Sequence, residues 1–218
     1  MIMYVNGDSH TAGLGIEKEE TFAHHIAQHY GAEYINEAKS GGSNDRILRL
    51  TNTYLDNHKP DFVLIGWSSW EREEWLYEGR YYDVNSSGHD RMPTVLQERY
   101  KDWMAIGQST NEEIQDKMRD QHDRMFQLHQ RLQNENIPHL FFNCVLSLWL
   151  INNQQNWGVN YIEPYSGVHY NTNPGCMHLY LHKQGFVPPL LFGNHHGPDA
   201  NRAWASRLID YITQHSIL

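Results

Sequence analysis

The chain has 218 residues, enough for one sizeable α/β core and short for two. Its 39% hydrophobic and 12% aromatic content exclude a disordered chain, and 17 basic against 26 acidic residues give a formal charge of -9, which repels polyanions and argues against nucleic acid as a ligand. No stretch approaches the roughly 18 consecutive apolar residues of a membrane span, and Met1–Asn6 lacks the basic region and apolar run of a signal peptide, so a cytoplasmic protein that does not engage membranes is expected. Cys144 and Cys176 are too few for a disulfide scaffold and too far apart for a close-pair zinc site.

Residues 1–6 form a short apolar run that reads as a strand and ends at Gly7-Asp8-Ser9. From Thr21 to Tyr30, Phe22, Ala23, Ile26 and Ala27 recur at helical spacing, and Ala32–Ile35 reads as a second strand. The small polar loop Ser40-Gly41-Gly42-Ser43-Asn44 leads into a helix carrying Ile47, Leu48, Leu50, Thr51, Tyr54 and Leu55. Asp61–Gly66 is a continuous apolar run, the pattern of a parallel strand covered on both faces. From Trp67 to about Gly107 periodicity lapses, and the many Trp and Tyr residues mixed with charges predict an elaborated loop insertion. Capping chemistry at Thr110–Glu113 opens a long helix to about Asn134. His139–Val145 reads as a fourth strand, Ser147–Asn153 as the start of a short helix, and 154–190 as loop-rich. A final helix runs from Pro198 or Asp199 to about His215, with Ala203, Trp204, Leu208, Tyr211 and Ile212 as its buried stripe. This alternation predicts a single domain over 1–218, a three-layer α/β/α sandwich around a mainly parallel sheet of about five strands, with any site where loops leave the carboxyl ends of the strands.

Ser9, Gly41 and Trp67 all fall at that edge. A serine hydroxyl becomes a nucleophile when a base removes its proton and donors receive the developing oxyanion. Ser9 follows a strand and sits among Gly7, Asp8 and Gly13, so its hydroxyl can emerge at a turn with the N–H groups of the following helix facing a bound anion. The competing explanation of the triplet is that Asp8 and Ser9 only cap a helix.

Four segments, in order, resemble those of the SGNH/GDSL hydrolases. The first is Gly7-Asp8-Ser9, where the family carries its nucleophile; the second is Asn36 followed five residues later by Gly41, whose N–H the resemblance assigns to the oxyanion hole. The third departs from the family's Gly-x-Asn-Asp and reads Gly66-Trp67-Ser68-Ser69. Ser68 aligns with the absent asparagine, and Asn44 from the neighbouring loop is the alternative donor. Losing one such donor typically lowers the rate about 100- to 1000-fold. In the last segment, counting back from Trp204-Ala205 sets His195 on the family's catalytic histidine, with His196 as the alternative. A histidine suits the role because its ordinary pKa of about 6.5 lets it accept and return a proton near neutrality. The family's aspartate is also missing: Phe192 stands three residues before His195 and Gly193 two before. Asp199, four residues beyond the histidine, is explained first as a helix cap, which leaves a Ser-His dyad or a carboxylate from elsewhere, such as Asp45, Glu71 or Glu73.

The resemblance implies hydrolysis of acyl esters through a Ser9 acyl-enzyme with no cofactor. Trp67 and Trp70, beside the charged run Glu71–Glu74, suggest stacking on a substrate and hence an acylated carbohydrate. The second hypothesis is a catalytically inactive relative that binds a glycan or protein partner through the aromatic segment. Paired carboxylates for glycoside cleavage among Glu71, Glu73 and Glu74 are a weaker reading, because such pairs come from separate elements. A metal site built from His24, His25, His178, His182, His195 and His196 is weaker than surface placement of those residues, since no helical signal places His178 and His182 on one face. No metal is assigned.

Overall fold

The computed structural model describes residues 1–105, 109–152, 154–165, 175–188 and 195–218. In chain order its elements are β1 (Ile2–Gly7), α1 (Ser9–Ala12), α2 (Phe22–His29), β2 (Glu33–Asn36), α3 (Asn44–Asn57), β3 (Phe62–Trp67), β4 (Glu73–Tyr77), β5 (Arg80–Val84), α4 (Gln97–Met104), α5 (Asn111–Asn134), β6 (His139–Asn143), α6 (Met177–Lys183) and α7 (Pro198–Gln214). The central sheet is wholly parallel, in the order β2-β1-β3-β6. Gly7 pairs with Gly66 and Trp67 with Asn143, so the carboxyl ends of the three strands finish at one edge.

Side-chain alternation divides this sheet between two cores. Met3, Val5, Phe62, Leu64, Leu140 and Phe142 meet α2, α6 and α7. Tyr4, Val63, Ile65 and Phe141 meet α3 and α5 on the opposite face. β3 is buried throughout because it lies inside the sheet and is covered on both sides, which is why its sequence is an unbroken apolar run. α5 begins with a reciprocal capping box between Thr110 and Glu113, as its sequence predicts.

Three expectations change. The central sheet has four strands among the described residues rather than about five, because the next segment joins β6 only through a single bridge between Phe141 and Tyr161. The stretch 67–105 is not a loop: β4 and β5 form an antiparallel hairpin, and Trp75, Val84, Met92, Tyr100 and Trp103 build a small core between it and α4. Residues 147–152 turn without forming a helix, whereas the segment read as loop-rich contains α6, whose Met177 and Leu181 enter the main core. α6 spans only Met177–Lys183, too short for periodicity to emerge. No described helix is long and apolar enough to cross a membrane.

Candidate active site

β1 ends at Gly7, and the chain turns at once into α1, with Asp8 as its cap: the carboxylate accepts from the His10 N–H at 2.9 Å. Ser9 is therefore the first helical residue. The turn packs tightly on the strand ends because a Cβ on Gly7 or on Gly66 would overlap the Thr11 hydroxyl. Asp8 does cap α1, and this holds Ser9 at the sheet edge.

His195 arrives from the other end of the chain, and its Nε2 lies 2.7 Å from the Ser9 Oγ. Its segment is fixed by Asn201 in the first turns of α7. The Asn201 amide donates to the carbonyls of His196 and Gly197, each at 3.1 Å, while its oxygen accepts from the Phe22 N–H at 3.2 Å. The candidate base is thereby tied to both α7 and α2. His196 is buried with neither ring nitrogen hydrogen-bonded, so His195 is the histidine on Ser9.

The site holds more histidine than expected. The His10 ring lies 4.8 Å from that of His195 and 6.1 Å from that of His178, and His178 lies 5.1 Å from His196. His178 and His182 are on a helix after all, and His178 reaches the edge because its N–H donates to the Cys144 carbonyl beyond β6. The surface placement expected for His178 and His196 is corrected: one is half-buried, the other buried. His24, by contrast, packs against Tyr34 on the flank of α2. Among the described residues no three His, Cys, Asp or Glu side chains are disposed to hold a metal ion. Burial, reinforced by neighbouring histidines, lowers His10 to about 4 and His196 to about 3. Both rings are neutral at pH 7, so the cluster presents no standing positive charge from these two beside Ser9.

The second segment meets the first through its backbone: Lys39 N–H donates to the Gly7 carbonyl at 3.1 Å, and Gly42 N–H to the Lys39 carbonyl at 3.0 Å. Gly41 between them has φ +76°, and a Cβ there would run into the Asn85 amide. In the third segment Ser68 is buried, and its hydroxyl accepts from Arg72 Nη1 at 3.0 Å. Asn44 does not serve as an oxyanion donor. Both its amide hydrogens are used, on the Ser68 carbonyl at 3.1 Å and Gln121 Oε1 at 2.8 Å, while its oxygen accepts from the Ser68 N–H at 2.8 Å. It clamps the Ser68 backbone instead.

Trp67 is also corrected as a substrate contact: it is fully buried, edge-on to Phe141 on the α5 side of the sheet. Trp70 is partly buried and lines a cavity of about 550 Å³ with Glu73, Trp75, Trp103 and Lys117. That cavity is separate from one of about 10 Å³ lined by Ser9, His10, Met177, His195, His196 and Asn201. The candidate carboxylates are engaged elsewhere. Asp45 pairs with Arg124 at 2.8 Å, Glu73 with Lys117 at 2.6 Å and Asp199 with Arg202 at 3.5 Å. Glu71 keeps one buried carboxylate oxygen without a hydrogen bond. Glu74 is held bidentately by Arg49, so Glu73 and Glu74 serve ion pairs rather than a glycosidase-like couple. Phe192 and Gly193 lie outside the described residues.

His10, Arg72 and Asn201 also shape the site, and each carries little signal in the sequence. His10 was visible as Ser9's neighbour and Arg72 as the residue four beyond Ser68. Asn201 carried only the signal of a polar side chain inside an apolar helical stripe.

A family of unknown function (DUF6071) matches residues 4–154, more than half of the chain; the match includes Ser9, Gly41 and Ser68 and ends before His195. No curated protein matches. Among solved structures, the chain resembles a psychrotrophic esterase, EstA, from Pseudoalteromonas sp., at 14% identity over 98% of this chain and 97% of that one, with a TM-score of 0.51. It resembles TesA at 12% identity over the whole of both chains, with a TM-score of 0.53. It also resembles a carbohydrate esterase family 2 enzyme with a carbohydrate binding domain from Corynascus thermopiles (Myceliophthora fergusii), at 15% identity over 98% of this chain and 66% of that one, with a TM-score of 0.50. At these identities the likeness concerns the fold, which is that of the SGNH/GDSL esterases. The chain belongs to the family of unknown function DUF6071, carried on an SGNH-hydrolase-like fold.

Proposed function

We propose that this protein is a serine hydrolase that cleaves acyl esters, with Ser9 as nucleophile and His195 as general base. The observation that carries the reading is the 2.7 Å approach of His195 Nε2 to Ser9 Oγ, a contact between residues 186 positions apart that matches the reach required for proton transfer. Ser9 Oγ attacks the ester carbonyl while its proton passes to His195. The collapsing intermediate releases the alcohol, which takes that proton, and water then cleaves the acyl-enzyme with His195 acting again as base. The N–H groups of Ser9 and Gly41 and the Ser68 hydroxyl receive the oxyanion. No cofactor takes part in this scheme.

The cavity beside Ser9, about 10 Å³, accommodates roughly one water. This favours short acyl groups such as acetyl over long chains. The fold neighbour named a carbohydrate esterase makes acetylated sugars the first natural substrates to try. A purely ligand-binding role for the aromatic segment is the second reading: Trp67 is buried in packing and drops out of it, and the separate cavity lined by Trp70, Trp75 and Trp103 is what would carry it.

A fluorophosphonate probe tests the chemistry: an adduct on Ser9, located by mass spectrometry and absent from Ser9→Ala, is expected. A folded protein that forms no Ser9 adduct overturns the reading. Hydrolysis of p-nitrophenyl acetate at higher kcat/KM than p-nitrophenyl octanoate tests the acyl length, and the reverse order overturns the short-chain assignment.

A further inference from the structure

The asparagine donor expected after β3 is replaced by Ser68, and the structure surrounds that serine with an arrangement its sequence position does not announce. Gly7 and Gly66 are paired in register, so Ser68 lies two residues beyond the pairing on β3, as Ser9 does on β1. Asn44 fixes the Ser68 backbone from both sides. Arg72 Nη1 donates to Ser68 Oγ at 3.0 Å and lies 3.4 Å from Asp8 Oδ2. The guanidinium is only partly exposed, while Asp8 is fully buried.

A serine hydroxyl has one hydrogen to donate and two lone pairs, whereas a guanidinium has donors only. With one Ser68 lone pair occupied by Arg72, the hydroxyl hydrogen turns away from the arginine, and the bond from a cation polarises it into a stronger donor. The same guanidinium pairs with the buried Asp8 carboxylate, which fixes its place beside Ser68.

We propose that Arg72 is a positioning residue that makes Ser68 the third oxyanion donor, the Ser68–Arg72 pair replacing the absent side-chain amide. This inference rests on the ester-hydrolase reading above. During attack the Ser9 proton moves to His195 and the carbonyl electron pair moves onto oxygen. The Ser68 O–H donates to that oxygen without transferring its proton, and Arg72 keeps the hydroxyl oriented throughout.

The test uses the full chain, p-nitrophenyl acetate turnover and the rate of Ser9 labelling by a fluorophosphonate. Ser68→Ala, which leaves the Arg72–Asp8 pair in place, is expected to lower kcat and the labelling rate about 100-fold with KM within a few-fold. Arg72→Met is expected to lower both by a smaller factor, Arg72→Lys to recover part of the loss, and the Ser68→Ala/Arg72→Met double variant to be no slower than Ser68→Ala alone. Ser68→Asn, which supplies an amide donor directly, is expected to retain turnover and to tolerate Arg72→Met. Ser68→Ala at near wild-type kcat, losses confined to KM, or multiplicative losses in the double variant would overturn the pair while Ser9 labelling of the wild type leaves the hydrolase reading standing. Absence of Ser9 labelling in the wild type removes both.

Discussion

Two groups of histidines stand at opposite ends of β6, and they are built differently. At its amino end His139 and His129 form a closed chain of hydrogen bonds. His129 Nδ1 lies 2.8 Å from His139 Nε2, and His139 Nδ1 lies 2.9 Å from the Ile137 carbonyl. With both rings neutral, only one set of hydrogens satisfies this chain: His139 donates to Ile137 and accepts from His129. Nearby His122 Nε2 lies 2.7 Å from the Tyr165 hydroxyl. At the carboxyl edge, His196 has no hydrogen bond at either ring nitrogen, His178 has none at Nδ1, and His195 meets Ser9. A buried polar group without a partner costs a folded protein about 1–3 kcal/mol, so the unsatisfied His196 ring beside the Ser9 cavity fits the proposed role of this edge. The satisfied group is structure.

The largest expected effect breaks the comparison outright if it fails. Ser9→Ala and His195→Ala are each expected to reduce p-nitrophenyl acetate hydrolysis by about 10⁴-fold or more. His129→Gln is expected to leave kcat within a few-fold and to lower only the urea midpoint. Comparable activity losses at both ends of β6 would erase the distinction between them.

The satisfied end makes a prediction about acid. Burial holds His139 down at about 4, against an ordinary 6.5, so between these values the unfolded chain binds more protons than the folded one, and stability rises with pH. The contribution is complete above about pH 6.5 and is lost as pH falls towards 4, amounting to about 3 kcal/mol over that window. Protonating His139 at Nε2 also removes the acceptor that His129 uses. Urea unfolding from pH 7.5 to 4.5 is expected to show His139→Gln well below the wild type at the upper end and close to it at the lower. A stability difference that does not narrow with falling pH would mean that His139 is not held neutral by its surroundings.

The same contrast explains what the sequence could convey. Strand runs, the alternation with helices and the capping box of α5 are local signals, and they predict β1, β2, β3, β6, α2, α3, α5 and α7 to within a few residues. Ser9 and His195 could be selected because their motifs sit at fixed offsets from such elements. The hairpin and α4 were hidden because Trp75, Tyr100 and Trp103 pack around a small separate core, where aromatic positions follow that core and not a period. Trp67 looked like a binding aromatic beside polar neighbours, but β3 is covered on both faces and its last residue is covered with it. Asn44 looked like a free donor because nothing local shows that Ser68 and Gln121, 24 and 77 residues away, consume its amide. Partner choice across such separations is a property of the assembled sheet.

Asn201 gives the smallest and most specific test of how the working edge is held. Its amide carries the segment that presents His195, while its oxygen anchors the start of α2, so one side chain links the candidate base to the scaffold. Asn201→Ala removes both ties. The freed segment is expected to misplace His195 by a fraction of an ångström, lowering kcat about 10-fold, given that an error of 1 Å costs on the order of 100-fold. Asn201→Asp keeps an acceptor for the Phe22 N–H but loses the amide donors, so it should spare the α2 anchor and still lower kcat. Equal kcat in Asn201→Asp and the wild type would mean that the His195 segment is held by other contacts, and that Asn201 belongs with the structural polar groups at the far end of the sheet.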